Sequence, residues 1–365
     1  MKVAFDPQIF SGQIYGGVSR YICELASRLS KNLEVDVKVV APMYVNAYLN
    51  NLPKEIWDGF RSPFPYSFFR HQQRILSMVF GDLMLRFMKP DIIHETYYLK
   101  YPLGPKSASR VLTIHDMIYE KFESKFQYGD ERSKRKAAAA KRADHIICVS
   151  ESTKRDVIDI LGVKEEKITV IHLGFDLMIS PVKFIKHYGR DYLLYVGSRG
   201  GYKNFLPMLE AYASSQILRS KYNLICFGGG AFNLDELNAI QRLDLNPENV
   251  IQLKGDDTFL ANYYKNASAF VFPSLYEGFG IPPLEAMSYD CPVVCSNTSS
   301  IPEVVGDAGH YFDPYDKESM QTAIEMVINS SVLRDSLIAK GRIRLNEFSW
   351  DKCATATLNV YKNLV

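Results

Sequence analysis

The sequence predicts an α/β protein built from two doubly wound, parallel-sheet domains. Three observations lead there. Short runs rich in β-branched residues alternate with longer helical patterns along almost the whole chain, which is how β–α–β units around parallel sheets read. The alternation runs through one series, lapses between Gly174 and Arg190, and then restarts. The 365 residues also exceed what one core needs, on a loose scale of about 150 residues per domain.

In the first series, strands are expected at Val3–Asp6, Val35–Val40, Asp91–His94, Val111–Ile114, His145–Val149 and Ile168–Ile171. Helical patterns lie between them, as at Ser19–Leu29 and Ser152–Leu161, with Ser150 placed to cap the latter. Phe68–Met88 reads as an amphipathic helix with apolar positions at 68, 75/76, 79/80, 83/84 and 87, expected to pack on the first sheet, with a peripheral membrane contact as the alternative. The stretch Gly174–Arg190, with Pro181 and no periodicity, is the natural linker. The second series places strands at Tyr192–Val196, Asn223–Phe227, Val250–Leu253, Ala269–Phe272 and Val293–Cys295. Helices follow near Asn204–Ser214, Leu234–Leu243, Phe259–Lys265, Pro283–Ser288 and Lys317–Ile328. After a helical stretch at Leu333–Phe348, Ser349 can cap a last helix running to Val365.

Composition narrows the function classes. A formal net charge of +2 gives no global attraction to nucleic acid or membrane, so any anion must be held by local placement. Six cysteines without a C-x-x-C pair point to reduced, buried thiols rather than a disulfide framework or a metal site. The apolar run at Val3–Phe5 is too short for a signal peptide, and no run reaches the length of a spanning helix. A cytoplasmic protein is expected.

Three loops of the second series follow the ends of predicted strands, where open α/β sheets bind ligands. In Gly197-Ser198-Arg199-Gly200-Gly201-Tyr202-Lys203-Asn204, a strand gives way to a helix whose free N–H groups favour an anion. Arg199 and Lys203 add a planar fork and a mobile point charge, a pair suited to a diphosphate. A glycine turn with two solvated cations explains the same residues. Gly228-Gly229-Gly230 would let backbone approach a flat base or sugar closely, or simply turn the chain. In Pro273–Met287, Glu277 sits in a glycine loop and Glu285 on the next helix, whose start is set by Pro282-Pro283. Two carboxylates so placed can read pairs of sugar hydroxyls; an acidic helix N-terminus would need one of them and no glycines.

At this loop the chain resembles a known family. Glu277-x7-Glu285, within Glu-Gly-Phe-Gly-Ile-Pro-Pro-Leu-Glu-Ala, is similar to the signature of glycosyltransferase family 4, retaining enzymes of the GT-B fold. Gly16-Gly17-Val18, Thr113-Ile114-His115-Asp116, Val149–Ser152, His172–Asp176, Ser296-Asn297, Pro302-Glu303-Val304 and Gly306–Gly309 agree in order. The resemblance implies two facing Rossmann-like domains, 1–180 with 350–365 and 185–348, the last helix returning to the first domain. It implies that Arg199 and Lys203 hold the donor diphosphate, and that Glu277 contacts the donor sugar with Gly278, Phe279 and Gly280 around it. Glu285 would bind the ribose and Lys254 would lie along the base. His115 would stand near the donor sugar and acceptor, and Gly16 and Gly17 would let a first-domain loop approach the phosphate.

The chemistry is consistent with that family. Departure of a diphosphate builds negative charge that fixed cations and a helix N-terminus stabilise. No D-x-D triplet occurs, so no catalytic metal or cofactor is expected; no carboxylate pair suggests a hydrolase, and front-face transfer with retention follows. The expected donor is a nucleotide diphosphate sugar, a GDP-sugar such as GDP-mannose before a UDP-sugar. The expected acceptor is a glycan or lipid-linked glycan in surface polysaccharide assembly. A 2-epimerase of the same fold and a non-catalytic nucleotide-sugar-binding partner are the alternatives; a dehydrogenase lacks its G-x-G-x-x-G. His94 is a second candidate for the acceptor side, and His172 for the hinge. The basic run Arg132–Arg142 reads as a solvated helix face or as a patch for anionic lipid or a lipid diphosphate, which would bring the protein to the inner face of a membrane.

Overall fold

The computed structural model describes residues 1–62, 66–122, 129–176 and 189–365. Most of the expected linker, Pro181 included, lies outside them. The chain divides into two compact units, Met1–Gly174 with Ser349–Val365 and Phe175–Phe348.

The first unit holds β1 (Lys2–Phe5), β2 (Asp36–Tyr44), β3 (Trp57–Arg61), β4 (Ile92–Glu95), β5 (Ser109–Ile114), β6 (His145–Cys148) and β7 (Ile168–Val170). They form one sheet in the order β3-β2-β1-β4-β5-β6-β7, parallel throughout. Alternation along β1 sends Val3 and Phe5 into the core under the helix Gly17–Leu29, while Ala4 joins Val40, Leu85 and Ile93 on the opposite face. The edge strand β3 was not legible in the sequence. Its Trp-Asp-Gly-Phe-Arg is mostly exposed and contains no β-branched residue. Gly59 lies at φ +151, where a Cβ would stand 1.8 Å from the Ala41 carbonyl oxygen.

The last helix, Trp350–Lys362, packs within this first unit. Ser349 caps it, its Oγ accepting from the Lys352 N–H at 3.1 Å. Gly174 makes the approach possible, because a Cβ there would stand 2.4 Å from the Trp350 Cα. The anchor is His94, whose Nδ1 lies 2.5 Å from the Tyr361 hydroxyl and whose Nε2 lies 2.8 Å from Thr113 Oγ1. The acceptor-side reading of His94 is therefore corrected. The ring is fully buried, burial pulls its pKa down to about 3, and it ties sheet to helix.

Two helical expectations also change. The helix Tyr66–Met88 turns Ile75, Leu76, Val79, Phe80, Leu83 and Phe87 outward rather than into the sheet. The basic helix Gly129–Arg142 is not one solvated face: Arg142 grips Glu95 at 2.5 and 2.9 Å, and Lys136 is buried with its Nζ 2.8 Å from Glu120.

The second unit holds β8 (Asp191–Val196), β9 (Tyr222–Phe227), β10 (Val250–Leu253), β11 (Ala269–Phe272), β12 (Val293–Ser296) and β13 (Gly309–Phe312). Their order is β10-β9-β8-β11-β12-β13, again parallel. The half-buried edge strand β13 begins with glycine and gave no strand signal. Each sheet has one switch point, where strand order reverses: between β1 and β4, and between β8 and β11. Doubly wound sheets bind ligands beyond the strand ends at such a point.

Candidate active site

The loops after β8 and β11 flank the second unit's switch point. After Val196 the chain turns at Gly197 (φ +121), whose N–H donates to Phe227 O at 2.9 Å. It then makes a tight turn at Gly201–Lys203 and enters the helix Phe205–Ser214 through Asn204, itself left-handed at φ 59. The Asn204 side chain holds that entry by donating to Pro314 O at 2.8 Å. Lys203 is thereby aimed across the switch point. Its Nζ lies 2.7 Å from Glu277 Oε1, in the loop after β11.

Glu277 is held from behind by a serine-rich segment after β12. Its backbone N–H donates to Ser299 Oγ at 2.9 Å, and Ser300 Oγ donates to the carbonyls of Glu277 and Phe279 at 2.8 and 2.9 Å. Ser299 and Ser300 fall between the Ser296-Asn297 and Pro302-Glu303-Val304 matches and carry no signal of their own in the sequence. Gly278 and the buried Phe279 complete the loop, with Phe279 edge-on to Phe348 at 5.6 Å. Gly280 (φ +103) opens the helix Ile281–Ser288, with proline in its first turn. One turn in, Glu285 Oε2 accepts from the Tyr264 hydroxyl at 3.0 Å. Burial first, and then the Glu285 charge, push that phenol well above its ordinary pKa. Lys254 is exposed just beyond edge strand β10, two strands from β8.

Arg199 does not stand beside Lys203 as a second free cation. Its side chain turns inward, with Nε 2.9 Å from Glu236 Oε1 and Nη2 3.2 Å from Oε2. The rest of the fork donates to the carbonyls of Gly228, Gly230 and Ala231, each at 2.9 Å. The glycine loop wraps this guanidinium. Gly228, Gly229 and Gly230 all have positive φ, and a Cβ on Gly229 would meet Arg199 Nη1 at 2.7 Å. Glu236 is fixed in turn by a capping box with Asn233. The helix near Leu234–Leu243 was legible; that the carboxylate of Glu236 in its first turn reaches back to Arg199 was not.

In the first unit, His115 follows β5 and meets Tyr21 edge-on at 5.0 Å. Burial pulls its pKa down to about 4, outweighing the upward pull of Asp116, with Lys136 adding to the fall. The imidazole is therefore neutral near pH 7. Lys136 Nζ donates to the Asp116 carbonyl at 2.8 Å, and Asp116 Oδ1 accepts from the Ile118 N–H at 3.1 Å, so the loop is held from below. Gly16 and Gly17 open the helix Gly17–Leu29. Ser19 Oγ donates to Gly16 O at 3.0 Å, and a Cβ on Gly16 would stand 2.1 Å from Gln13 Nε2. Gly17 faces open space. Lys203, Glu277 and Glu285 thus belong to the second unit; His115, Gly16 and Gly17 belong to the first.

Comparison with known proteins agrees with this reading of the fold. Residues 15–178 match the family model described as Glycosyltransferase Family 4, and residues 181–344 the model described as Glycosyl transferases group 1. The fold and the two family models together define a GT-B glycosyltransferase. The chain belongs to glycosyltransferase family 4. It is 34% identical over 234 residues to O-antigen chain mannosyltransferase B of Escherichia coli, a match spanning 60% of each chain. It is 29% identical to O-antigen chain mannosyltransferase RfbU of Salmonella typhimurium, over 61% of this chain and 62% of that one. These matches cover less than two thirds of either relative's length. Among solved structures, a sucrose-phosphate synthase from Thermosynechococcus elongatus aligns over 100% of this chain and 98% of its own, with TM-score 0.74 and 20% identity. WaaG, a glycosyltransferase involved in lipopolysaccharide biosynthesis, aligns over 99% of both chains with TM-score 0.71 and 16% identity. Anabaena Alr3699/HepE in complex with UDP-glucose aligns over 99% and 100%, with TM-score 0.70 and 17% identity. Among the described residues, no helix is long and apolar enough to cross a membrane.

Proposed function

We propose that the protein is a retaining glycosyltransferase that moves a hexose, mannose from GDP-mannose as the first reading, to a glycan or lipid-linked acceptor in surface polysaccharide assembly. The observation that carries it is the Lys203–Glu277 pair, closed at 2.7 Å over the second switch point. A donor diphosphate competes with Glu277 for Lys203. When the ammonium moves to the phosphate, it balances charge on the leaving group and frees a carboxylate for the sugar hydroxyls beside it. Glu285, a turn further on, is the reader of the ribose hydroxyls. His115, neutral near pH 7, offers a hydrogen bond to the sugar without adding positive charge beside an oxocarbenium-like centre. The absence of a D-x-D triplet supports a reaction that needs no divalent metal, and Lys203 takes that electrostatic role. The mannosyltransferase names of the relatives support the choice of sugar and of glycan product. A cytoplasmic enzyme working at the inner face of a membrane fits a lipid-linked acceptor.

A donor screen by nucleotide release, with and without EDTA, tests this. GDP release from GDP-mannose is expected to exceed UDP release from UDP-hexoses and to survive chelation. A preference for UDP-sugars would overturn the donor, and loss in EDTA restored by Mg²⁺ or Mn²⁺ would overturn metal independence. Inversion at the anomeric carbon of the product would overturn retention.

A further inference from the structure

The first sheet has a switch point of its own, and a cavity of about 390 Å³ opens there. Its walls include Gln8 and Gln13, from the segment after β1, and Tyr97 and Tyr98, from the loop after β4. Two helices add Arg70 and Arg74, and Arg132 and Arg135. No aspartate or glutamate is among the described lining residues. Arg74 lies against Gly12, 3.6 Å from where a Cβ there would stand, and takes no hydrogen bond or ion pair among the described residues. Arg132 is stacked on Tyr119 at 4.7 Å and bonded to its hydroxyl. Arg135 has an exposed i−4 partner in Glu131 at 3.0 Å, a weak surface pair. Four guanidinium groups gathered around one cavity repel one another, and an anion accepting forked hydrogen bonds relieves that repulsion.

We propose that this cavity is a second anion site, taking the phosphate or diphosphate group of the acceptor, distinct from the donor diphosphate site at Lys203. The assignment to the acceptor rests on the glycosyltransferase reading. A lipid-borne diphosphate and a soluble phosphate ester share the chemistry. The helix that supplies Arg70 and Arg74 favours the lipid, because it turns Ile75, Val79, Phe80, Leu83 and Phe87 outward. An anionic head in the arginine cavity with an acyl or prenyl layer under that stripe would use both features.

The test titrates inorganic pyrophosphate, by calorimetry, into the full chain, the Lys203→Ala variant and an Arg74→Gln/Arg132→Gln variant. Pyrophosphate binding is expected to persist in Lys203→Ala and, with the Lys203 site filled by saturating GDP, to weaken by at least about tenfold in the double variant, given two lost charge-assisted contacts. Arg74→Lys, which keeps the charge, is expected to stay within a few-fold of the parent, separating charge from fold. The double variant should still bind GDP as the parent does, which marks it as folded. Unchanged pyrophosphate binding in the double variant, or binding abolished by Lys203→Ala, overturns the second site. Failure of the parent to bind any nucleoside diphosphate would instead sink the transferase reading. Flotation with phosphatidylcholine vesicles carrying a polyprenyl diphosphate assigns the source. Capture that needs the diphosphate and Arg74/Arg132 supports a lipid-borne acceptor, while no capture overturns that part and leaves a soluble phosphate.

Discussion

Arg199 and Glu236 form a two-point ion pair inside the second unit, with Nε–Oε1 at 2.9 Å and Nη2–Oε2 at 3.2 Å. The two side chains are 2% and 5% exposed. The pair places Arg199 under the glycine loop at 228–230, as a positioning residue for whatever that loop touches. Removing one partner of such a pair leaves a buried charge uncompensated, at a cost of about 3–5 kcal/mol. Arg199→Ala and Glu236→Ala are each expected to lower the thermal midpoint, and Arg199→Lys should not restore it, since an ammonium cannot reach Glu236 and three carbonyls together. An Arg199→Ala protein that melts like the parent yet loses nucleotide binding would return Arg199 to the diphosphate.

Lys203 is the opposite case. Its Nζ meets Glu277 where the side chains are 19% and 11% exposed, so truncation costs less fold and more chemistry. Lys203→Ala should melt near the parent temperature and turn over roughly 10²-fold more slowly with GDP-mannose. Parental rates in the folded variant would reduce the loop to a turn.

The two glutamates should separate in binding and kinetics. Glu277→Gln keeps shape but weakens the charge that holds Lys203 and the sugar, so turnover and sugar selectivity should fall while GDP affinity changes little. Glu285→Gln should weaken binding of GDP itself. Calorimetry with GDP alone, set beside steady-state rates, checks this; the reverse pattern would swap the assignments.

Stability should fall on the acid side. His94 and His115 have pKa values lowered from 6.5 to about 3 and about 4 by burial. The unfolded chain therefore takes up their protons below pH 6.5 while the folded one does not, a loss of about 1.4 kcal/mol per pH unit for each. Asp6 acts in the other direction. Burial, and then Glu95, raise its pKa from 3.8 to about 6, so the folded state holds its proton more tightly between those values. Two groups outweigh one, and denaturant midpoints should drop between pH 6.5 and 4. His115→Asn should flatten that slope, and an unchanged slope would show that its ring titrates normally in the fold.

Much of this molecule was legible before any tertiary contact. Strand cores such as Leu193–Val196 and Ala269–Phe272 declare themselves because central parallel strands are apolar on both faces. The caps at Ser150 and Ser349 are local bonds, each to an N–H three residues on. The turn from strand to helix that carries Glu277 and Glu285 was legible because glycine and proline set it within a dozen residues of one another. Edge strands β3 and β13 were not, because exposure on one side removes the apolar run that marks a strand.

Tertiary structure decided where the long side chains point. Arg199 reads as a surface cation in its own loop, and the partner that turns it inward is 37 residues away. His94 resembles a site histidine at a strand end until Tyr361, 267 residues on, closes over it. Arg132 sits in a run that reads as a solvated helix face and Arg74 on a helix expected to pack on the sheet, and only the tertiary structure gathers them around a single cavity. Local sequence sets backbone conformation through bonds a few residues long. The direction of a flexible charged side chain is set by which distant carboxylate or carbonyl the fold brings within reach, and no window of sequence contains both ends of that contact.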